Sequence, residues 1–585
     1  MKIKNNWELG RLYYKSLKDP RIPKSIARGD KAVDAFVKKY GKNKTWLTSP
    51  KALAQALLAY EALIGECSSA ALYYANYRKE LNAKDKEAEA FLNKLDDHFT
   101  KRGNKLLFFE LELAKVPKEM QKKFLSAKEL QSLHYWLTKL FETAKHNLSE
   151  QQEKLLSLLS DVSHGRWVQA VDNILSTRTV DFKGKKLPLN EALARVIVLP
   201  MAERRALHKI AMAKLKEVSD MAESELNAII TRKKITDELR DFKEPYDATI
   251  LGYENDKKSV LNLVKTVTSH FPLAQRFYKV KAKMLKQKTL TYADRAVPVG
   301  KVSKKIPFAE AAKVVHDAFY ALHPRYADIF DRLLANGQVD VYPKAGKTSG
   351  AYCSSGVGEP TMLLLNHVED AHSLLTLAHE MGHAVHAERS KVQRPFYEGH
   401  TISTAEVAST FFEQATFDAL VQKLSTKERL VALHDKVQDD IASIFRQITF
   451  FNFELDMHTQ IRQKGLLPKE DIAALLNTHT ARYMGPAVAL TDEDGYFFVT
   501  VSHFRRFFYV YSYAFGQLVS RALYERVKKD PKFIAKVDEF LCAGGSNSPE
   551  EIFAACGLNL YQPQVFLEGL RGIEKDIREL EKAVR

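Results

Sequence analysis

DAHSLLTLAHEMGHAVHAERS, from Asp370 to Ser390, reads as one helix. Leu374, Leu375, Leu377 and Ala378 give it an apolar side, and Asp370 can cap its first turn by accepting an amide hydrogen bond. Inside it stands H-E-x-x-H, at His379, Glu380 and His383. Residues four apart share a helix face one turn apart, so both imidazoles can reach one zinc ion. The adjacent carboxylate then projects toward the water such an ion carries. Five-residue patterns also arise by chance, and the competing reading is a helix with ordinary core and surface histidines. Placement inside a strongly helical, otherwise apolar segment favours the metal.

A catalytic zinc needs a third protein ligand and an open position. The longer metzincin pattern would require Gly at 386 and His at 389, where this chain has His386 and Arg389, so that class is rejected. The next helical run, STAEVASTFFEQATFDAL (Ser403 to Leu420), offers Glu406 as its first inward acid. Glu388 is too close within the same helix, and Glu398 falls in a loop beside Pro395 and Gly399. Ser403-x-x-Glu406 also fits a capping box, in which the glutamate only bonds the helix start. Glu413, further along the same face, can accept a hydrogen bond from a ligating imidazole. His386 lies one turn beyond the pair, but two histidines and a glutamate already complete the set.

Around these helices the chain has 585 residues, 45% hydrophobic and 28% charged, with a formal net charge of +17. That composition excludes disorder, collagen-like repeats and a disulfide scaffold. Four scattered cysteines without C-x-x-C spacing indicate a reducing compartment, and MKIKNNWELG has no apolar core of a signal peptide. No apolar run approaches the ~20 residues of a membrane span. The expectation is a soluble, cytoplasmic protein that engages neither membrane nor nucleic acid. Its basic residues mostly alternate with acidic ones, although Arg276 to Lys288 and the cluster Lys301, Lys304 and Lys305 are locally one-signed.

Leu, Ala and Phe recur at three and four residues almost throughout, which predicts a mainly α fold. TVDFKGKKLPL (Thr179 to Leu189) looks like a hairpin, and a helical stretch opens near Pro200, where a boundary is expected. Strand signals gather in Gln338 to Cys353 and Pro360 to His367, so a small β-sheet should lie near the histidine helix. Residues 1–199 are expected to form a helical cover, and residues 200–585 the catalytic region.

HEMGHAVH and AEVASTFFE, with the spacing between them, resemble the oligoendopeptidase F branch of the thimet oligopeptidase family of zinc metallopeptidases. WELGRLY, VDVYPKAGKTSGAYC and HFRRFFYVYSYAFG are similar to that family's opening motif, the segment before its active-site helix and its C-terminal substrate-binding segment. The resemblance covers nearly the whole chain. It implies one zinc per chain on His379, His383 and Glu406, with Glu380 as general base. It also implies an elongated helical fold whose deep channel admits oligopeptides and excludes folded proteins. A histidine and one or two tyrosines of the last segment are implied to contact the substrate carbonyl: His503, Tyr509 and Tyr513 are favoured. If that segment is helix, Tyr511 points elsewhere; aromatic core packing is the alternative for all three tyrosines. Two other functions stay open: a zinc peptidase of different specificity such as an aminopeptidase, and a basic binding protein without catalysis. Oligomeric state is not legible.

Overall fold

The computed structural model describes residues 2–302 and 305–584, so Lys304 of the basic cluster lies outside them. Helices carry most of the described chain, from Arg21–Tyr40 to Gln564–Ala583, and the strands are few and short. The mainly α expectation therefore holds. Among the described residues no helix is long and apolar enough to cross a membrane, and all four cysteines are unpaired.

The chain folds into two compact units, neither of them continuous. The first comprises Met1–Lys145, Lys304–Leu420 and Leu523–Gly557; the second comprises His146–Ser303, Val421–Ala522 and Leu558–Arg585. The boundary expected at 199/200 coincides with no edge of these units. Local packing accounts for this, because the hairpin before Pro200 and the helix Met201–Glu217 after it touch within the second unit.

Within the first unit, one core gathers Phe36, Tyr40, Trp46 and Phe109. The Trp46 and Phe109 rings stack 4.4 Å apart, a geometry aromatic pairs favour beyond the area they bury. A second core surrounds Trp7, Tyr13 and Tyr77 and takes in Met362 and Leu364. The Trp7 indole N–H donates to the carbonyls of Gln338 (3.1 Å) and Leu363 (2.8 Å). WELGRLY thereby fastens the chain start to the small sheet.

That sheet has three strands, with Met362–Leu364 central, parallel to Val339–Asp340 and antiparallel to Tyr352–Ser354. Tyr352–Ser354 is an edge, and it packs against the histidine helix, Ala371–Ser390. The Asp370 carboxylate caps that helix by accepting the Ser373 N–H at 2.8 Å. Leu374, Leu377 and Ala378 are fully buried, while Leu375 is only partly so.

Within the second unit, Thr179–Phe182 and Lys185–Pro188 form the expected antiparallel hairpin. Lys183 and Gly184 both adopt positive φ at its turn (53° and 73°), the backbone that matches strand twist in a two-residue loop. The one-signed stretch Arg276 to Lys288 is not a uniform basic face. Arg276 pairs with Glu574 and Glu581 and Lys281 is fully buried, whereas Lys279, Lys283, Lys286 and Lys288 are exposed.

Candidate active site

His379, Glu380 and His383 project from the histidine helix, and Glu406 from the helix Ile402–Val421, all within the first unit. Gly382 explains how closely these helices approach. A methyl group there would stand 2.8 Å from Ser409 Cα and 3.1 Å from Phe412 Cβ, so only glycine lets the two backbones meet. The approach brings one ligand atom each of His379, His383 and Glu406 within 4.8 Å of one another. His379 Nε2 and Glu406 Oε2 are 3.7 Å apart. Ligands about 2.1 Å from a common tetrahedral centre stand roughly 3.4 Å apart, so the donor set and its spacing fit a zinc ion after small adjustments.

The capping-box alternative for Glu406 fails on the helix start. The helix opens at Ile402, so Ser403 already lies inside it and is fully buried. Glu388 is engaged by Arg332, Lys391 and Thr361. His386 is fully buried, its ring stacked 4.0 Å from that of His400, outside the ligand group.

Both ligand-candidate imidazoles are oriented from behind. His379 Nδ1 donates to Glu413 Oε2 at 2.9 Å, and His383 bonds the backbone of Ala405. Bonds of this kind fix the tautomer and leave the other ring nitrogen for a metal. The electrostatics call for a cation. Burial works against a charged His379, yet Glu413, Glu380 and Glu406 outweigh it and push it up to about 9. For His383, burial and then the His379 charge drive the imidazole well below its usual range, keeping it neutral. Burial, opposed by His379 and reinforced by Glu406 and Glu413, lifts Glu380 to about 7. The Cys353 backbone N–H on the edge strand bonds to that carboxylate.

A separate cluster forms in the second unit. Ser502–Arg505 is a short 3-10 helix and Tyr511–Lys529 an α-helix, so Tyr509 precedes the helix that holds Tyr513. The segment is not one continuous helix: Phe507 and Phe508 both take positive φ (48° and 60°) and interrupt it. The tyrosines nevertheless converge, with their hydroxyls 3.5 Å apart and Tyr509 OH 2.5 Å from His503 Nδ1. Tyr511 is fully buried and its hydroxyl donates to Asn255 Oδ1 at 3.0 Å, which makes it a core residue. Burial, with the nearby Arg446 and Arg506, lowers His503 to about 4, so the imidazole is neutral near pH 7.

The model of Peptidase family M3 matches residues 201–572, and that of Oligopeptidase F matches residues 112–177. The chain belongs to peptidase family M3. Among curated relatives this M3 chain is 25% identical over 538 residues to oligopeptidase PepF of Bacillus subtilis (strain 168), covering 90% of the chain and 80% of the relative. Among solved structures it superposes with TM-score 0.83 on one from Chlamydophila abortus, at 22% identity over 99% of this chain and 98% of that one. Oligoendopeptidase-F from Enterococcus faecium follows with TM-score 0.71 and 19% identity, covering 96% and 98%. These likenesses establish the helical peptidase fold. Three supports of the M3 site were not expected from sequence: the Gly382 contact, the Ala405 partner of His383 and the Cys353 amide on Glu380. The central glycine of HEMGH was the one visible signal among them.

Proposed function

We propose that this family M3 peptidase is a zinc-dependent endopeptidase of short peptides, with one zinc on His379, His383 and Glu406. The convergence of those three side chains beside Glu380 carries the reading. When bound, zinc supplies a Lewis acid and a water of lowered pKa. Glu380 is the base: its buried carboxylate, poised near neutrality, takes a proton from water and returns it to the departing amine. Glu413 and the Ala405 backbone hold the imidazoles in orientation. His503 and Tyr513 are assigned as donors to the carbonyl oxygen as it gains charge, and Tyr509 as the group that orients His503. With the Tyr509 hydroxyl donating to Nδ1, the neutral His503 keeps its Nε2–H for that purpose. The edge strand Tyr352–Ser354 is assigned the peptide backbone, which an unpaired strand edge can bind whatever its side chains.

Residues 200–585 are assigned as the catalytic region and 1–199 as its cover; the family match over 201–572 supports the first assignment. The four unpaired cysteines support a cytoplasmic location. Glu380→Gln should retain zinc and the fold while turnover falls about 10²- to 10⁴-fold; activity within a few-fold of wild type would sink the assignment. Cleavage of peptides blocked at the N-terminus is expected, and a strict need for a free amine would instead mark an aminopeptidase.

A further inference from the structure

The turn at Phe507 and Phe508 holds the His503 cluster together, and its conformation is costly. It is the one place among the described residues where two adjacent non-glycine residues both have positive φ. Side chains with a Cβ resist that backbone. A continuous helix could not replace the turn, since residues six apart would stand about 9 Å apart along the axis and on different faces. Here His503 and Tyr509, six apart, are in hydrogen-bond contact.

The groups gripping the turn come from two places in the second unit. The Phe508 N–H donates to Glu454 Oε1 at 3.0 Å, and the Thr249 hydroxyl donates to the Phe507 carbonyl at 3.0 Å. Glu454 lies on the helix Arg446–Lys464. Phe451 and His458, three before and four after it, share its face. Their rings pack on Phe508 with centroids 5.4 and 4.8 Å away. Glu454 is fully buried and its second oxygen has no hydrogen-bond partner. A carboxyl so placed costs stability rather than supplying it, so its contribution must be sought in geometry.

We infer that Glu454 is a positioning residue: by holding the Phe508 amide it keeps the turn left-handed and sets Tyr509 against His503. The inference rests on the assignment of His503, oriented by the Tyr509 hydroxyl, as a donor to the substrate carbonyl.

The test compares Glu454→Met, Glu454→Gln, Thr249→Val and Tyr509→Phe in the zinc-loaded full chain, measuring kcat, KM and Tm. Glu454→Met should lower kcat at least tenfold with KM within threefold of wild type. In Glu454→Gln the amide oxygen still accepts the Phe508 N–H, so kcat should stay within threefold. Adding Glu454→Met to Tyr509→Phe should cost less than a further twofold, because both act through one hydroxyl. Wild-type kcat in Glu454→Met, a loss in Glu454→Gln at unchanged Tm, or losses that multiply in the double variant would each overturn the inference. If Tyr509→Phe alone turns over like wild type, the assignment of Tyr509 as the group that orients His503 fails and the inference with it, an outcome read directly from that single variant. Should Glu454→Met not fold, the nearly isosteric Thr249→Val loosens the same turn. Its expected effect is a several-fold fall in kcat that disappears in the Tyr509→Phe background, and wild-type kcat there overturns the inference.

Discussion

Gly382→Ala measures how far the metal site depends on the approach of two helices. The added methyl carbon would sit 2.8 Å from Ser409 Cα, 3.1 Å from Phe412 Cβ and 3.1 Å from the Ser409 carbonyl oxygen. Carbon atoms rest about 3.5–4.0 Å apart. The obstruction is backbone rather than a side chain that could swing away, so the helices must part by roughly 0.7–1.2 Å to reach that spacing. Glu406 is on one helix and both histidines are on the other, and a metal site tolerates ligand displacements of only about 0.2 Å. Zinc affinity should therefore fall on the order of 10- to 100-fold, the scale seen when a ligand loses its supporting partner. Overpacking should cost about 1–3 kcal/mol of stability, offset by up to about 1 kcal/mol from the better helix propensity of alanine. Competition for zinc against a chromophoric chelator reads the first effect and calorimetry the second. A variant that binds zinc within twofold of wild type and melts higher would show that contact at Gly382 does not set the ligand geometry.

Glu413→Gln removes the charge behind His379 while keeping an acceptor, and should weaken zinc binding by roughly 10-fold or more in the same competition assay. Because the carboxylates hold His379 protonated up to about 9 without metal, zinc binding near pH 7.5 should release about one proton. Calorimetric titration in buffers of different ionisation enthalpy would detect it, and a buffer-independent heat would contradict it. His503 is lowered to about 4, whereas an unfolded histidine titrates near 6.5. Between those values the unfolded chain binds the extra proton, so this histidine's contribution to stability is present above pH 6.5 and is lost as pH falls toward 4. Melting curves at pH 7 and 5 should show a loss that shrinks in His503→Gln; an identical loss in the variant would refute it.

The histidine helix was legible because its chemistry is local: the 379/380/383 spacing, the Asp370 cap and the apolar side all belong to one run. Glu406 was half legible. Spacing could propose it as ligand or as cap, and only the position of the helix start, which puts Ser403 inside the helix, separates the two. How the tyrosines converge was not legible, for a different reason. Phe507 and Phe508 carry no sign of a left-handed turn, since aromatic residues ordinarily avoid that backbone and the groups that impose it lie far off, at Thr249 and Glu454. The boundary near Pro200 rests on a local change in pattern and the family match opens beside it, at residue 201, while the compact units follow contacts between segments far apart in the chain.

The interleaving of the two units bears on how the chain is made. The first unit is not complete until residues 523–557 exist, and the second waits for 558–585. Arg389 on the histidine helix, for example, has its carboxylate partner at Asp538, 2.7 Å away and 149 residues later. At about 5–20 residues per second of synthesis, a ribosome would spend roughly 7–30 s between those two positions, with the histidine helix already made and the helix Ile534–Ala543 that packs on it still missing. Neither unit can finish on the ribosome before the other has nearly emerged, and removing only residues 558–585 should compromise the second unit while leaving His379, His383 and Glu406 in the chain.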